Sequence, residues 1–295
     1  MDDATDAPFH LKVASPSPSP YVVQPWKKLL YLRQAYPDNY TDPSFLSQLK
    51  RNTTVAKYRY SNVVGDFSLI VLHISALILV VLMFSGIYLF HWDIRWPTAA
   101  TTLVSLVGLF GFHRHQIKSY VITSMLLLVL SPVLRSLTRS TASDSIWALS
   151  FCLVIANTIF HDYAFGGDPH DYHPIISTNI SLTNAIVLAS RLNTHASVFT
   201  FLMFAIEVSI LWPLFDVSMR HWHWHKLHRT LFASLFGIDC WLIWRIMGGK
   251  YVGFWIVGCG AIMFGLPAYF LFLQKYKNEM MGPWDPAKPK LNRVQ

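Results

Sequence analysis

The sequence predicts an all-α protein: a polytopic transmembrane helical bundle of about eight spans, with short cytoplasmic N- and C-terminal tails. Three observations carry this. Of the 295 residues, 53% are hydrophobic and 14% are charged, whereas an ordinary soluble domain carries about 25% charged residues. The apolar residues form long runs separated by short polar joints, the pattern of a chain with most of its mass in lipid. The net charge of +8 sits in tails and joints, which membrane topology explains better than nucleic acid, so no nucleic-acid partner is expected.

Residues 1–24 contain SPSPSP at Ser15–Pro20, too polar and proline-rich to pack, and read as a disordered tail. The opening MDDATDAPFH lacks a basic stretch followed by an apolar one, so the first membrane segment is expected to act as the insertion signal. Residues 25–64 read as a cytoplasmic amphipathic segment. Pro25 stands at a helix start with Trp26, Leu29 and Leu30 on one face, and Asp42-Pro43 marks a second start. Phe45, Leu46 and Leu49 then make a short apolar face beside Lys50 and Arg51. Such basic amphipathic helices lie on an anionic leaflet or against a partner, the alternative being a solvated tail helix.

Residues 65–274 form the predicted bundle, with apolar segments near 67–90, 97–112, 120–137, 146–164, 175–191, 196–215, 230–247 and 251–273. A spanning helix needs about 20 apolar residues, so the short second and fifth segments leave room for a re-entrant or tilted element. Residues 275–295 are the C-terminal tail. All but six of the 24 Lys and Arg fall in the tails or in the joints on their side. The six are Arg95, Arg135, Arg139, Arg191, Arg245 and Lys250, and the asymmetry places both termini in the cytoplasm. Asn39-Tyr40-Thr41 and Asn52-Thr53-Thr54 are acceptor sequons that this orientation leaves unmodified.

Several clusters invite a chemical reading. Ser131–Ser150 puts Arg135 and Arg139 one helical turn apart among Ser131, Ser136, Thr138, Ser140 and Thr141. Arginine pairs with phosphate oxygens bidentately, which suggests a lipid-headgroup pocket. The charge asymmetry puts both arginines on the lumenal side. The stretch is therefore expected to be a helix-to-helix joint, with Pro132 shaping the third span and Asp144 capping the fourth. A pairing of Asp144 with either arginine stays open.

The joint His161–Pro174 gathers His161, His170 and His173 with Asp162, Asp168 and Asp171. That set suits a divalent cation carrying a sugar nucleotide, or simply a polar loop rich in turn formers. In RHWHWHKLHR, His221, His225 and His228 could share one helix face. Trp222, His223 and Trp224 beside them fit a membrane interface better than a metal site. Glu207 and Asp239 lie inside apolar runs, where ionisable groups are costly and face a bundle interior. Arg245, the nearest cation to Asp239, is six residues away, off helix-face spacing. Cys152, Cys240 and Cys259 fit neither a disulfide framework nor a zinc-ligand pattern. No strand, glycine-rich turn and helix follow in sequence, so no nucleotide-binding fold is expected. No residue is assigned a catalytic, cofactor-binding or metal-ligating role, and no cofactor is expected.

Seven stretches in order carry a resemblance. They are Tyr31–Tyr40 with Phe45-Leu46 and Leu49–Asn52; Ser131–Leu134 with Leu137-Thr138 and Asp144; Asp162-Tyr163; Ser181-Leu182; Ala189–Leu192; Leu211-Trp212-Pro213; and Gly282–Asp285. Together, over residues 26–287, they resemble the PIG-C family, membrane subunits of phosphatidylinositol N-acetylglucosaminyltransferase. The resemblance implies an endoplasmic-reticulum protein needed for the first step of glycosylphosphatidylinositol (GPI) anchor synthesis. There N-acetylglucosamine passes from UDP-GlcNAc to phosphatidylinositol on the cytoplasmic face. It implies a non-catalytic role beside a catalytic PIG-A subunit, with PIG-H, PIG-P, PIG-Q and PIG-Y as further partners. The His/Asp-rich joint is longer here than in animal members, the His-Trp joint has no counterpart there, and Glu207 stands at a position resembling an uncharged one. Two rival readings are a self-sufficient membrane glycosyltransferase using His161–Pro174 and a lipid or ion carrier using Glu207 and Asp239.

Overall fold

Hydrophobicity that continues all round each run leaves the backbone no partners but its own, and in lipid that selects helices. The computed structural model of the chain describes residues 26–27, 33–37, 39–40, 50–51, 58–136, 142–163, 172, 174–277 and 280–281. These fall into two compact units, Lys57–Lys277, and Met1–Ala56 together with Asn278–Gln295.

In the larger unit the elements run α1 (Tyr60–Phe90), α2 (Arg95–Phe112), α3 (Ile117–Ser136), α4 (Ser143–Phe160) and α5 (Ile175–Ala189). They continue with α6 (His195–Ile206), α7 (Trp212–His221), α8 (His225–Ile246), α9 (Gly249–Gly260) and α10 (Leu266–Gln274). Counting α6–α7 and α9–α10 as single rods, each apolar run of the sequence corresponds to one described rod. Among the described residues, five stretches are long and apolar enough to cross a membrane: Tyr60–Phe90, Arg114–Leu134, Ser143–Phe160, His195–His221 and Gly249–Gln274. The 15 residues of α5 reach only about 22 Å at 1.5 Å per residue. The 31 residues of α1 reach about 46 Å, past a hydrocarbon core of about 30 Å.

The rod α6–α7 and helix α1 are mostly buried, while α3, α4 and α9–α10 are mostly exposed. Phe84 of α1 meets Phe201 of α6 and Trp147 of α4 with ring centroids 5.9 and 5.3 Å apart, and α8 packs along α1. Gly108 permits a close approach of α2 to α7, because a Cβ there would lie 2.7 Å from the Phe215 ring.

Two rods are kept continuous through a proline by the same device. Pro213 and Pro267 lack the N–H that an α-helix needs, and their rings crowd the carbonyl one turn back. Immediately upstream the backbone widens into π turns, Glu207–Leu211 and Ala261–Gly265. The Trp212 amide donates to the Glu207 carbonyl and the Leu266 amide to the Ala261 carbonyl. Pro132, by contrast, lies inside α3 with no such turn.

One expectation for the third joint changes. Asp144 is not the cap of α4: Ala142 holds that place without a side-chain hydrogen bond, and Asp144 lies in the first turn, where a carboxylate still suits the helix dipole. The Arg135 side chain and Arg139, with any pairing to Asp144, lie outside the described residues, as do the Ser136, Thr138, Ser140 and Thr141 side chains.

In the smaller unit, Trp26, Lys27, Arg33 and Gln34 are not helical, contrary to the helix expected from Pro25. The Gln34 side-chain amide instead brackets the Lys27 backbone, accepting from its N–H (2.8 Å) and donating to its C=O (2.5 Å). Tyr40 lies near both Tyr36 and Trp26, with centroids 4.3 and 6.3 Å apart. Lys50 and Arg51 are not on a helix either. They form strand β1 (Lys50–Arg51), antiparallel to β2 (Met280–Met281), so the two ends of the chain are paired. Leu29, Leu30, Asp42, Pro43, Phe45, Leu46 and Leu49 lie outside the described residues.

Candidate functional site

Polar side chains in a lipid-embedded bundle cost free energy unless they find partners, so the places where they gather mark what the bundle is built to hold. One gathering joins α1, α4 and α5. Asn157 is buried with all its hydrogen-bonding capacity used. Its Oδ1 accepts from His73 Nε2 (3.0 Å) and Ser177 Oγ (2.6 Å), and its Nδ2 donates to the Ser177 carbonyl (3.2 Å) and Ser181 Oγ (2.5 Å). His161 Nδ1 lies 2.7 Å from Ser177 Oγ, and its ring stacks on His73 with centroids 3.6 Å apart. Burial, and then the neighbouring His73 ring, holds the His161 imidazole well below the usual histidine range, so it is neutral. The Tyr163 ring packs edge-on against it at 4.9 Å, and burial pushes the Tyr163 phenol up to about 12.

A second gathering lies beside the first. Asp216 of α7, nearly buried, accepts from Arg220 Nε at 3.0 Å and lies 2.5 Å from His228 Nδ1 of α8. Arg220 Nη2 donates to the Tyr163 carbonyl at 3.5 Å. The tight turn Trp222–Trp224, with His223 at φ 59°, folds α8 back along α7 and makes the Asp216–His228 contact possible. Between the two gatherings is a narrow cavity of about 30 Å³, bordered by His73, His161, Asp162, Tyr163, Trp212 and Arg220. That is room for one or two waters.

A wider cavity of about 550 Å³ opens on the other side of Arg220, between the first turns of α1 and the first turns of α8. Its border includes Ser61, Asp66, Ser68, His225, His228 and Arg229. Both cavities lie at the end of the bundle that holds the start of α1, the α4–α5 joint and the α7–α8 turn.

A third polar gathering is internal. Glu207 is fully buried and accepts from Thr101 (2.5 Å) and Thr102 (2.7 Å) of α2 and from Tyr120 (2.7 Å) of α3. Its place on the π turn, set by Pro213, aims it across two helices. Asp239 is equally buried beside Ser75 of α1, and neither its carboxylate oxygens nor the Ser75 hydroxyl reaches hydrogen-bond geometry. Arg245 is exposed.

The residues singled out in sequence thus separate. His161 and Asp162 join the cavity wall, while His170, His173, Asp168 and Asp171 lie outside the described residues. His221, His225 and His228 do not share a helix face, because α7 ends at His221 and α8 starts at His225. No group of three potential metal ligands gathers among the described residues. His73, Asn157, Ser177 and Asp216 went unremarked in the sequence, and Arg220 counted only toward the charge asymmetry. Their one signal was polarity inside or at the edge of apolar runs.

Of the motif residues, Asp162, Tyr163, Trp212 and Pro213 border the narrow cavity, and Ser181 anchors Asn157 behind it. A family model described as GPI2, phosphatidylinositol N-acetylglucosaminyltransferase, matches residues 26–285. The chain belongs to this family. It is 32% identical to the phosphatidylinositol N-acetylglucosaminyltransferase GPI2 subunit of Schizosaccharomyces pombe, over 91% of this chain and 88% of that protein. A putative subunit of the same enzyme from Dictyostelium discoideum is 34% identical, over 89% and 79% of the two chains. The corresponding Homo sapiens protein, also named as a subunit of this transferase, is 30% identical, over 90% and 93%. No solved structure matches this chain.

Within the GPI2 family frame, the departures noted in the sequence fall in different places. Glu207 lies in the bundle interior, whereas His225 and His228 of the His-Trp joint line the wider cavity.

Proposed function

We propose that this GPI2-family chain is a non-catalytic membrane subunit of the complex that transfers N-acetylglucosamine from UDP-GlcNAc to phosphatidylinositol, the first step of GPI-anchor synthesis. It crosses the endoplasmic-reticulum membrane about eight times with both termini in the cytoplasm, and it works beside a PIG-A type catalytic chain and PIG-H, PIG-P, PIG-Q and PIG-Y type subunits. The observation that carries the reading is a family match over nearly the whole chain, 26–285, with the motif residues Asp162, Tyr163, Trp212 and Pro213 bordering one narrow cavity.

Two of the side chains on which the rival roles draw, His161 and Glu207, already have structural work. The His161 ring is spent on His73 and Ser177, which leaves little of it for a self-sufficient transferase. Glu207 is spent on three hydroxyls, a staple rather than a step in a carrier's path.

Purification of the tagged chain from microsomes tests the proposal. Transferase activity and the other subunits should come with it, and the separated chain should transfer nothing. Activity from the chain alone overturns the reading. A glycan on Asn39 overturns the orientation.

A further inference from the structure

The wider cavity has a composition that its place in the bundle does not require. Toward lipid, this bundle exposes apolar side chains such as Val129 and Phe254. Here Arg220, Arg229, His225 and His228 face Ser61, Asp66 and Ser68, over an apolar floor that includes Phe232 and Met263. Arg220 and His228 are not loose surface groups, since Asp216 grips both from behind. The Arg229 Nε is anchored on the His225 carbonyl at 3.2 Å.

The volume, about 550 Å³, falls in the range of about 300–1,000 Å³ usual for small-molecule sites. Trp222 and Trp224, exposed in the adjoining turn, are of the type that sits at headgroup level. The start of α1 reaches past the hydrocarbon on the same side. A cation-rich wall, a hydroxyl and carboxylate wall, and an apolar floor at headgroup level match three parts of one molecule: phosphate, polyol and glycerol-linked acyl chain.

We propose that the cavity between the first turns of α1 and α8 binds the headgroup of a phosphoinositol glycerolipid. Arg229, with His225 and the Asp216-held Arg220 and His228, takes the phosphodiester, and Asp66, Ser61 and Ser68 take ring hydroxyls. Arginine and histidine supply charge-assisted hydrogen bonds to phosphate oxygens. A carboxylate so near would repel a bare phosphate, yet it is a strong acceptor for a polyol. The site rests on the reading of this chain as a subunit of the phosphatidylinositol-modifying complex. It adds where on the subunit the acceptor lipid sits.

Gly65 offers a clean block. It borders the cavity, and a Cβ there meets nothing within 4 Å, so Gly65→Leu fills the site without disturbing the helix. Arg229→Glu reverses an exposed charge at the rim, and Arg245→Glu, an exposed cation near the other end of α8, is the control.

The test uses the full chain in neutral detergent, with intrinsic tryptophan fluorescence reporting binding of short-chain phosphatidylinositol, short-chain phosphatidylcholine or inorganic phosphate. Phosphatidylinositol should bind with clear preference over phosphatidylcholine, and inorganic phosphate should compete weakly. Arg229→Glu should weaken phosphatidylinositol binding about ten-fold, the worth of one charge-assisted hydrogen bond, and Gly65→Leu at least as much by occupying the site, while Arg245→Glu leaves it unchanged. Wild-type affinity in both cavity variants, or equal binding of phosphatidylcholine, overturns the proposal. Inorganic phosphate competing as strongly as the lipid overturns the lipid assignment. Co-purification of the transferase is scored separately in the same variants. If it persists while lipid binding is unaffected, the site fails and the subunit role stands. If the wild-type chain brings down no transferase, the subunit role fails, and with it the basis of the proposal.

Discussion

Replacing Glu207 by alanine removes the acceptor shared by three hydroxyls from two other helices. Thr102 and Tyr120 both donate to Oε1, while Thr101 donates to Oε2 and also to the Thr98 carbonyl. Alanine therefore strands two hydroxyls outright, and Thr101 keeps its second acceptor. At about 1–3 kcal/mol for each stranded group, plus the void left by the carboxylate, the loss is about 3–5 kcal/mol.

Glutamine should behave differently. Its Oε1 keeps both donors, and its Nε2 can donate to the Thr101 oxygen once that proton turns fully to Thr98. The structure therefore predicts a cost below about 1 kcal/mol for Glu207→Gln. Thermal unfolding of the detergent-solubilised chain reads the difference, at about 2–4 °C per kcal/mol for a chain of this size. The alanine variant should fall by roughly 10 °C and the glutamine variant by a few degrees at most. A glutamine variant as unstable as alanine would refute the hydrogen-bond account, because it would mean that the charge itself is required.

Three further outcomes are expected. Asp216→Ala leaves Arg220 and His228 without their shared acceptor and should cost about 3–5 kcal/mol; in the same unfolding assay Asp216→Asn should lose less. Gly108→Ala drives a methyl into the Phe215 ring and should destabilise by about 1–3 kcal/mol, partly relieved by a second change, Phe215→Leu. The His161 imidazole is held below its ordinary range by burial and by His73, so below about pH 6.5 the unfolded chain takes up a proton that the folded one refuses. Stability is whole above that pH and falls as the pH drops, by about 1.4 kcal/mol per pH unit, and a melting series on His161→Gln should show a shallower slope.

Every rod was legible in the sequence, because in lipid an apolar run has no other way to satisfy its backbone. The family was legible too, since short motifs in fixed order survive without any knowledge of contacts. The polar wiring was not. Glu207 and Asp239 were noticed as costly residues, but their surroundings lie on other helices: Thr101, Thr102 and Tyr120 for the first and Ser75 for the second. The spacing of His221, His225 and His228 misled because steps of four and three residues suit one helix face, whereas a three-residue turn at Trp222–Trp224 splits them. Lys50 and Arg51 misled in the same way, since their strand partner is some 230 residues further along the chain.

The sequence by itself determined which apolar segments of the bundle are helices, the charge asymmetry between their two ends, and the family. Those properties depend on composition and order along the chain, where each residue acts through its own chemistry. Only the tertiary structure decided that Glu207 is a staple, that Asp216 binds Arg220 and His228 into one group, and that Ser61, Asp66 and Arg229 border one cavity. Those depend on which helix faces which. In a bundle whose rods are apolar on nearly every side, that choice is made by a few buried polar groups, close-packed glycines and proline-widened turns, not by any stripe visible in the sequence.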